Sequence, residues 1–154
     1  MKRFVVALLA FVVFVVALRA VPIPSDKPQA PREWEIALTA TGGDLYAEVK
    51  IKITAKDGEV KGWCMRSSPN GVISRSQAHI PAAASAQLWK TLEKVKAMEL
   101  PDFEKLVLDS PDYTINFAWS GKSRTITVKG ASESARHLEL ILAIEKCFDD
   151  GVAK

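Results

Sequence analysis

The sequence predicts an α+β domain: an antiparallel sheet of five or six strands with two helices packed on one face, in the order β-β-β-(β)-α-β-β-α. Three observations favour this class. Apolar and polar residues alternate from Leu45 to Thr54, the period of a half-buried strand. Asp57-Gly58 then marks a tight hairpin turn. Two segments with helical apolar spacing, 82 to 98 and 133 to 148, each follow a group of strands.

The hairpin from Leu45 to Met65 organises the rest of the chain, because its two-residue turn fixes the register of the two strands. If Lys56 lies opposite Glu59, then Cys64 faces the core together with Ile51 and Ile53. Trp63 lies opposite Lys52 and Met65 opposite Lys50, on the other face. The two faces of one hairpin therefore lead to separate predictions.

The remaining elements follow in order along the chain. Strands are predicted over 34 to 40, 72 to 80 and 113 to 119, with a return strand through Ile126 and Val128. The weak alternation over 72 to 80 suits a strand at the sheet edge. Pro81 is placed in the first turn of the first helix, and Ser132 is the predicted cap of the second. Phe103, Leu106 and Leu108 are expected to pin the connection between them onto the core.

Residues 1 to 20 are predicted to be a signal peptide or an N-terminal membrane anchor. Lys2 and Arg3 precede fifteen apolar residues and a small residue at position 20, a run shorter than the roughly twenty residues of a spanning helix. Residues 21 to 33 read as a Pro-rich linker and 34 to 150 as a single α+β domain. Either alternative predicts an exported domain, periplasmic or secreted, or anchored to the outer side of the cytoplasmic membrane.

The charge of the chain argues against a nucleic-acid partner. The formal net charge of +3 comes from Lys2, Arg3 and Arg19, so residues 21 to 154 carry equal numbers of basic and acidic side chains. Proteins that bind nucleic acids present a net basic domain with clustered Lys and Arg. We therefore expect no nucleic-acid binding, and contact with a membrane only through residues 1 to 20 if they are not cleaved.

The two cysteines, Cys64 and Cys147, leave two alternatives open. An oxidising compartment and a shared orientation towards the core favour a disulfide between them. Two buried free thiols are the alternative, since cysteine packs as a small hydrophobe.

The sequence contains no recognisable catalytic or cofactor motif. There is no G-x-S-x-G, H-E-x-x-H or C-x-x-C sequence and no phosphate-binding glycine loop. His79 is interpreted as a strand-end residue, and His137, one helical turn after Glu133, as a surface pair with that residue. We therefore expect no catalytic, metal or cofactor site, and a protein that is not an enzyme.

A candidate partner-binding surface comes from the outer face of the hairpin: Trp63, Met65, Lys50 and Lys52. An exposed tryptophan among polar residues is typical of an interaction site. The alternative is that lysine stems cover the indole. Trp34, Trp89 and Trp119 are expected in the core.

The order of elements and several short motifs resemble the emfourin-type inhibitors of thermolysin-like metalloproteases over residues 34 to 148. The matching residues are Thr41-Gly42-Gly43 after the first strand, Leu88, Leu92 and Leu100-Pro101 in and after the helix, and Asp112-Tyr113-Thr114-Ile115 with Gly121. The chain departs from that pattern at Asp44-Leu45, Trp63-Cys64 and Cys147. The resemblance implies an α+β domain that inhibits a protease.

Three functions follow from the sequence as alternatives. The first is an exported, non-enzymatic binding module with a protein partner, for which a secreted or envelope protease is the candidate. The second is a membrane-tethered structural or assembly protein of the envelope, and the third is a small hydrolase with an unrecognised site.

Overall fold

A computed structural model of the chain describes residues 30–42 and 47–152. The predicted leader, residues 21 to 29 of the predicted linker and the predicted start of the second strand at Leu45 lie outside these residues. Among the described residues, no helix is long and apolar enough to cross a membrane.

Seven strands and two α-helices form the described domain, so its class is α+β as predicted. The strands are β1 (Trp34–Thr41), β2 (Glu48–Lys56), β3 (Glu59–Ser67), β4 (Ile73–His79), β5 (Phe103–Glu104), β6 (Asp112–Trp119) and β7 (Lys122–Lys129). The helices are α1 (Ala82–Lys94) and α2 (Ala135–Asp149), with short 3-10 helices at Ala97–Glu99 and Ala131–Glu133. The sheet order is β4-β3-β2-β1-β6-β7-β5.

The hairpin register predicted from Asp57-Gly58 is confirmed. Lys56 pairs with Glu59, and Lys52 lies opposite Trp63. Asp57 and Gly58 have φ angles of 53° and 83°, as a turn that matches the twist of antiparallel strands requires. β4 lies at the sheet edge, as its weak alternation indicated.

The sheet has seven strands rather than the predicted five or six. The unpredicted strand is β5, which pairs in parallel with β7 over two residues, Phe103 with Val128 and Glu104 with Lys129. A two-residue strand has no periodicity to detect. Every other strand pair is antiparallel, so the sheet is mixed.

Both helices begin or end away from their predicted positions. α1 ends at Lys94 rather than near Met98. Lys96, with a left-handed φ of 51°, separates α1 from the 3-10 helix that follows. α2 begins at Ala135 with Ser134 in the N-cap position, two residues after the predicted Ser132. Gly130, at φ 66°, first turns the chain into a 3-10 helix.

The core lies between the helices and one face of the sheet. Ile36, Leu38, Ile53, Ile115 and Phe117 point from the sheet into this layer, and each is at most 1% exposed. The three tryptophans predicted in the core form one aromatic cluster, in which the ring centroids of Trp34 and Trp89 lie 5.9 Å apart and those of Trp89 and Trp119 5.2 Å apart. The opposite face of the sheet has no covering layer among the described residues.

The connection after β5 corrects the sequence prediction. Leu106 is 91% exposed and Leu108 83% exposed, so neither pins the loop to the core. Val107, between them, is half-buried and lies close to Gly130. In this loop the middle residue of the three faces inward, and Leu108 lies in a turn.

Candidate functional site

The outer face of β2, β3 and β4 brings together all four residues predicted as a partner-binding surface. Trp63 on β3 lies between Lys52 on β2 and Gln77 on β4. In the next row of the same face, Met65 lies between Lys50 and Arg75. We call this group, together with Lys61 and His79 in the row on the other side of Trp63, the Trp63 surface.

Trp63 is the exposed member of the four tryptophans. Its side chain is 43% exposed, and it borders a shallow depression of about 610 Å³ lined also by Lys52, Lys61, Gln77 and His79. Met65 is half-buried beside it. The lysine stems therefore do not bury the indole, and an apolar group remains available at the centre of a polar surface.

Each of the three lysines of the Trp63 surface is held by a carboxylate on the same face of the sheet. The Nζ atoms of Lys50, Lys52 and Lys61 lie 2.8, 2.9 and 2.6 Å from carboxylate oxygens of Glu48, Glu35 and Glu59, respectively. The hydrogen bond from Lys61 lowers the pKa of the Glu59 carboxyl. Exposed pairs of this kind contribute little to stability, so their main effect is to orient the side chains around Trp63.

Arg75 differs from these lysines. Among the described residues it forms no ion pair, and its side chain is exposed at the edge strand. It is the cation of the Trp63 surface best placed to meet a carboxylate from outside the domain.

The contribution of β4 to this surface was not predicted from the sequence. Gln77, Arg75 and His79 join it because β4 pairs with β3 in an unbroken antiparallel register from Lys61–His79 to Ser67–Ile73. The connection between the two strands spans residues 68 to 72, and a loop of that length does not fix a register as a two-residue turn does. The available signal in the sequence was the spacing of Ile73, Arg75, Gln77 and His79, since every second residue of a strand lies on the same face.

The disulfide between Cys64 and Cys147 is not formed in this structure. Both residues are free cysteines, and both are buried. Cys64 faces the core as predicted, near the carboxylates of Asp149 and Glu145 on α2. Cys147 is two residues from each of these and so lies about 200° around the helix. It lines the groove between α2 and α1 with Leu88 and Thr91.

Phe148, rather than Cys147, packs its side chain against the backbone of β3. A Cβ atom built on Gly62 would lie 2.8 Å from a ring carbon of Phe148, which shows how closely the ring packs against the strand. Cys147 and Phe148 are adjacent on α2, so their side chains point about 100° apart around the helix. Because Phe148 faces β3, Cys147 does not.

The two histidines occupy different environments. His79 is exposed at the end of β4, as predicted. His137 is not the predicted surface partner of Glu133: it is 3% exposed, its Nδ1 lies 2.6 Å from Ser134 Oγ, and its Nε2 lies 2.8 Å from the carbonyl oxygen of Pro101. Glu133 instead pairs with Lys105. These contacts give His137 a structural role, joining α2 to the loop before β5.

A second exposed surface is the loop from Lys105 to Asp109, which carries Leu106 and Leu108. The backbone N–H of Lys105 donates to the carbonyl of Lys129 over 3.2 Å, and its Nζ pairs with Glu133. With Val107 against Gly130, these contacts fix the loop while its two leucines point into solvent.

Within residues 30–42 and 47–152, no group of three or more potential metal ligands is found. No protein-family model matches the chain, and a search of the curated proteins finds no match to it. The similarity to emfourin-type inhibitors therefore stays a prediction.

Proposed function

We propose that the protein is an exported, non-enzymatic binding module that engages a protein partner through the Trp63 surface. The observation that carries this proposal is the position of Trp63: an indole 43% exposed on a sheet face without a covering layer among the described residues. Large aromatic side chains in this setting are the commonest anchors of protein interfaces.

The surroundings of Trp63 support a partner that is itself a protein. A central indole flanked by Met65 has the apolar character of an interface core, and the polar ring of Lys50, Lys52, Lys61 and Gln77 has that of a rim. The three lysines of this ring already form ion pairs, which reduces the conformational entropy that they lose on binding. The expected partner presents an apolar pocket bordered by carboxylates, one of which meets Arg75.

The test is capture of envelope proteins by the full chain, followed by affinity measurement with the partner identified by mass spectrometry. Trp63→Ala is expected to weaken binding at least tenfold, the scale of an interface anchor, without changing the circular dichroism spectrum. Leu142→Ala is the matched control, because Leu142 is 53% exposed on the helical side of the domain. Equal affinities for the two variants would contradict the proposal.

Protease inhibition is the second candidate, and the exposed leucines of the 105–109 loop favour it. A protease cleft binds an extended segment through pockets for individual side chains. Leu106 and Leu108 are presented on a loop fixed at Lys105 and Val107, and a fixed loop loses little conformational entropy on binding.

This second candidate is tested by the inhibition constant of the full chain against a thermolysin-like metalloprotease, the class implied by the resemblance. Replacing Leu106 and Leu108 together by alanine is expected to raise the inhibition constant at least tenfold. Val72→Ala removes an apolar side chain of similar exposure, 68%, from a different loop and should leave inhibition unchanged. Absence of inhibition by the unaltered chain would contradict this second candidate.

A further inference from the structure

The two edges of the sheet differ in how their backbone groups are satisfied. At the β7 edge, β5 pairs with Val128 and Lys129, and the Asp102 carboxylate accepts the backbone N–H of Thr127 over 2.8 Å. At the opposite edge, β4 has no neighbouring strand beyond it among the described residues. Proteins usually protect an open edge. Here the β7 edge is covered over Thr127 to Lys129, whereas no described strand covers any part of β4.

The hydrogen-bond pattern shows which residues of β4 present free backbone groups. The N–H of Ile80 donates to Val60, and the N–H of Ser68 donates to Val72, each over 2.9 Å. In an antiparallel pair, hydrogen-bonded and non-hydrogen-bonded residue pairs alternate. Residues 74, 76 and 78 therefore bond to β3, while Ile73, Arg75, Gln77 and His79 direct their N–H and C=O groups away from it.

These four residues are available for pairing. All four are exposed, and none of their backbone groups is hydrogen-bonded to another described residue outside the sheet. The seven residue pairs with β3 run without a bulge. Of the devices that disfavour edge pairing, β4 contains no proline and no lysine, and its one Lys, Arg, Asp or Glu residue is Arg75.

We propose that β4 pairs antiparallel with β4 of a second copy of this chain, with the two-fold axis at Ser76. In this register, Arg75 lies opposite Gln77 of the second copy, and Ile73 lies opposite His79. Every free N–H and C=O of the four residues then has a partner. The residues facing the core side near the axis are small, Ser74, Ser76 and Ala78, so their side chains leave room for the approach.

The alternative antiparallel registers are less complementary. Moving the axis to Arg75 sets two arginines opposite each other and leaves His79 unpaired. Moving it to Gln77 leaves Ile73 unpaired and sets Arg75 beside His79. Like charges opposed across a strand pair are destabilising, so the charge and the hydrogen bonds of β4 select the same axis.

Pairing at this edge would make one continuous sheet with the outer faces of both copies on the same side. The two Trp63 residues would then be three strand spacings apart across the sheet, roughly 14 Å at about 4.8 Å per strand, and offset by two residues along the strands. A doubled Trp63 surface would follow from edge pairing alone, whatever its ligand.

The test is sedimentation velocity of the full chain in detergent over a concentration series, with substitutions that change charge at one exposed position. Gln77→Lys places a lysine opposite Arg75 twice in the dimer and should raise the dissociation constant on the order of tenfold, whereas Gln77→Glu should lower it by a similar factor. Ser123→Lys, on exposed β7, is the charge-matched control and should leave the constant unchanged. All variants share the leader, so differences among them arise from the folded domain.

Amide hydrogen exchange locates the contact. Raising the concentration should slow exchange at Ile73, Arg75, Gln77 and His79 and leave Ser74, Ser76 and Ala78 unchanged. A chain that stays monomeric, or a dimer that responds equally to Gln77→Lys and Gln77→Glu, would overturn the proposal. Protection of the four amides only when another protein is added would likewise overturn it, by assigning the edge to a foreign strand.

Discussion

Trp63 differs from the other tryptophans in the face of the sheet on which it lies. Trp34 and Trp119 lie on the covered face and meet Trp89 of α1, whereas Trp63 lies on the uncovered face opposite Lys52. Burial of an indole contributes apolar stabilisation, and a half-exposed one forgoes much of it. Stability of the fold therefore accounts for only part of the choice of tryptophan at position 63, and the proposed partner contact would account for the rest.

Burial also determines the acidity of the two thiols. Burial, with a smaller contribution from the Asp150 carboxylate, raises the pKa of Cys147 to about 12. Burial raises the pKa of Cys64 as well. Thiolates are the reactive form, so both cysteines are expected to be inert in the native protein at neutral pH.

The raised pKa of Cys147 predicts a loss of stability in alkali. The unfolded thiol titrates near pH 9, so above that pH the unfolded state releases a proton that the folded state retains. The free energy of unfolding should fall by up to about 1.4 kcal/mol per pH unit between pH 9 and pH 12 from this residue alone. Urea denaturation at several pH values measures it. Cys147→Ala should reduce the slope, and an unchanged slope would contradict the assignment.

At the scale of elements, strand pairing was predicted most accurately where it depends on residues close together in the sequence. Asp57-Gly58 fixed the β2–β3 register to the residue, and therefore the faces of Trp63 and Cys64. β5 could not be predicted, because its two residues pair only through contact with β7. The position of Cys147 relative to Cys64 could not be predicted either, because the orientation of α2 on the sheet depends on packing between distant residues.

The contact between α2 and β3 at Phe148 and Gly62 is tightly packed. Gly62→Ala would place a methyl carbon 2.8 Å from the Phe148 ring and should cost about 1 to 3 kcal/mol through overpacking. Phe148→Leu should recover part of this loss in the double variant, because the two residues are in contact. Urea denaturation of the four proteins gives the coupling energy, and strictly additive effects would show that the contact is absent.

The two sides of the whole domain differ in their side chains. The helical side contains the apolar core, including Ile36, Phe117 and Phe148. The other side carries oriented charges around Trp63 and, at β4, an open edge. A sheet covered on one face exposes the other to solvent, and the presence of Trp63 and Met65 there is what the proposed binding function explains.

Quenching of tryptophan fluorescence by iodide, with and without the captured partner, tests the binding proposal most directly. Trp34 and Trp89 are buried and Trp119 is partly buried, so Trp63 should give the largest share of the quenchable emission of the free protein. Trp63→Ala should remove that share and leave the smaller one from Trp119. Binding of a partner without tryptophan, or with its tryptophans replaced, should abolish most of the quenching of Trp63. Quenching that persists unchanged in the saturated complex would show that Trp63 stays in water, and it would contradict the central claim.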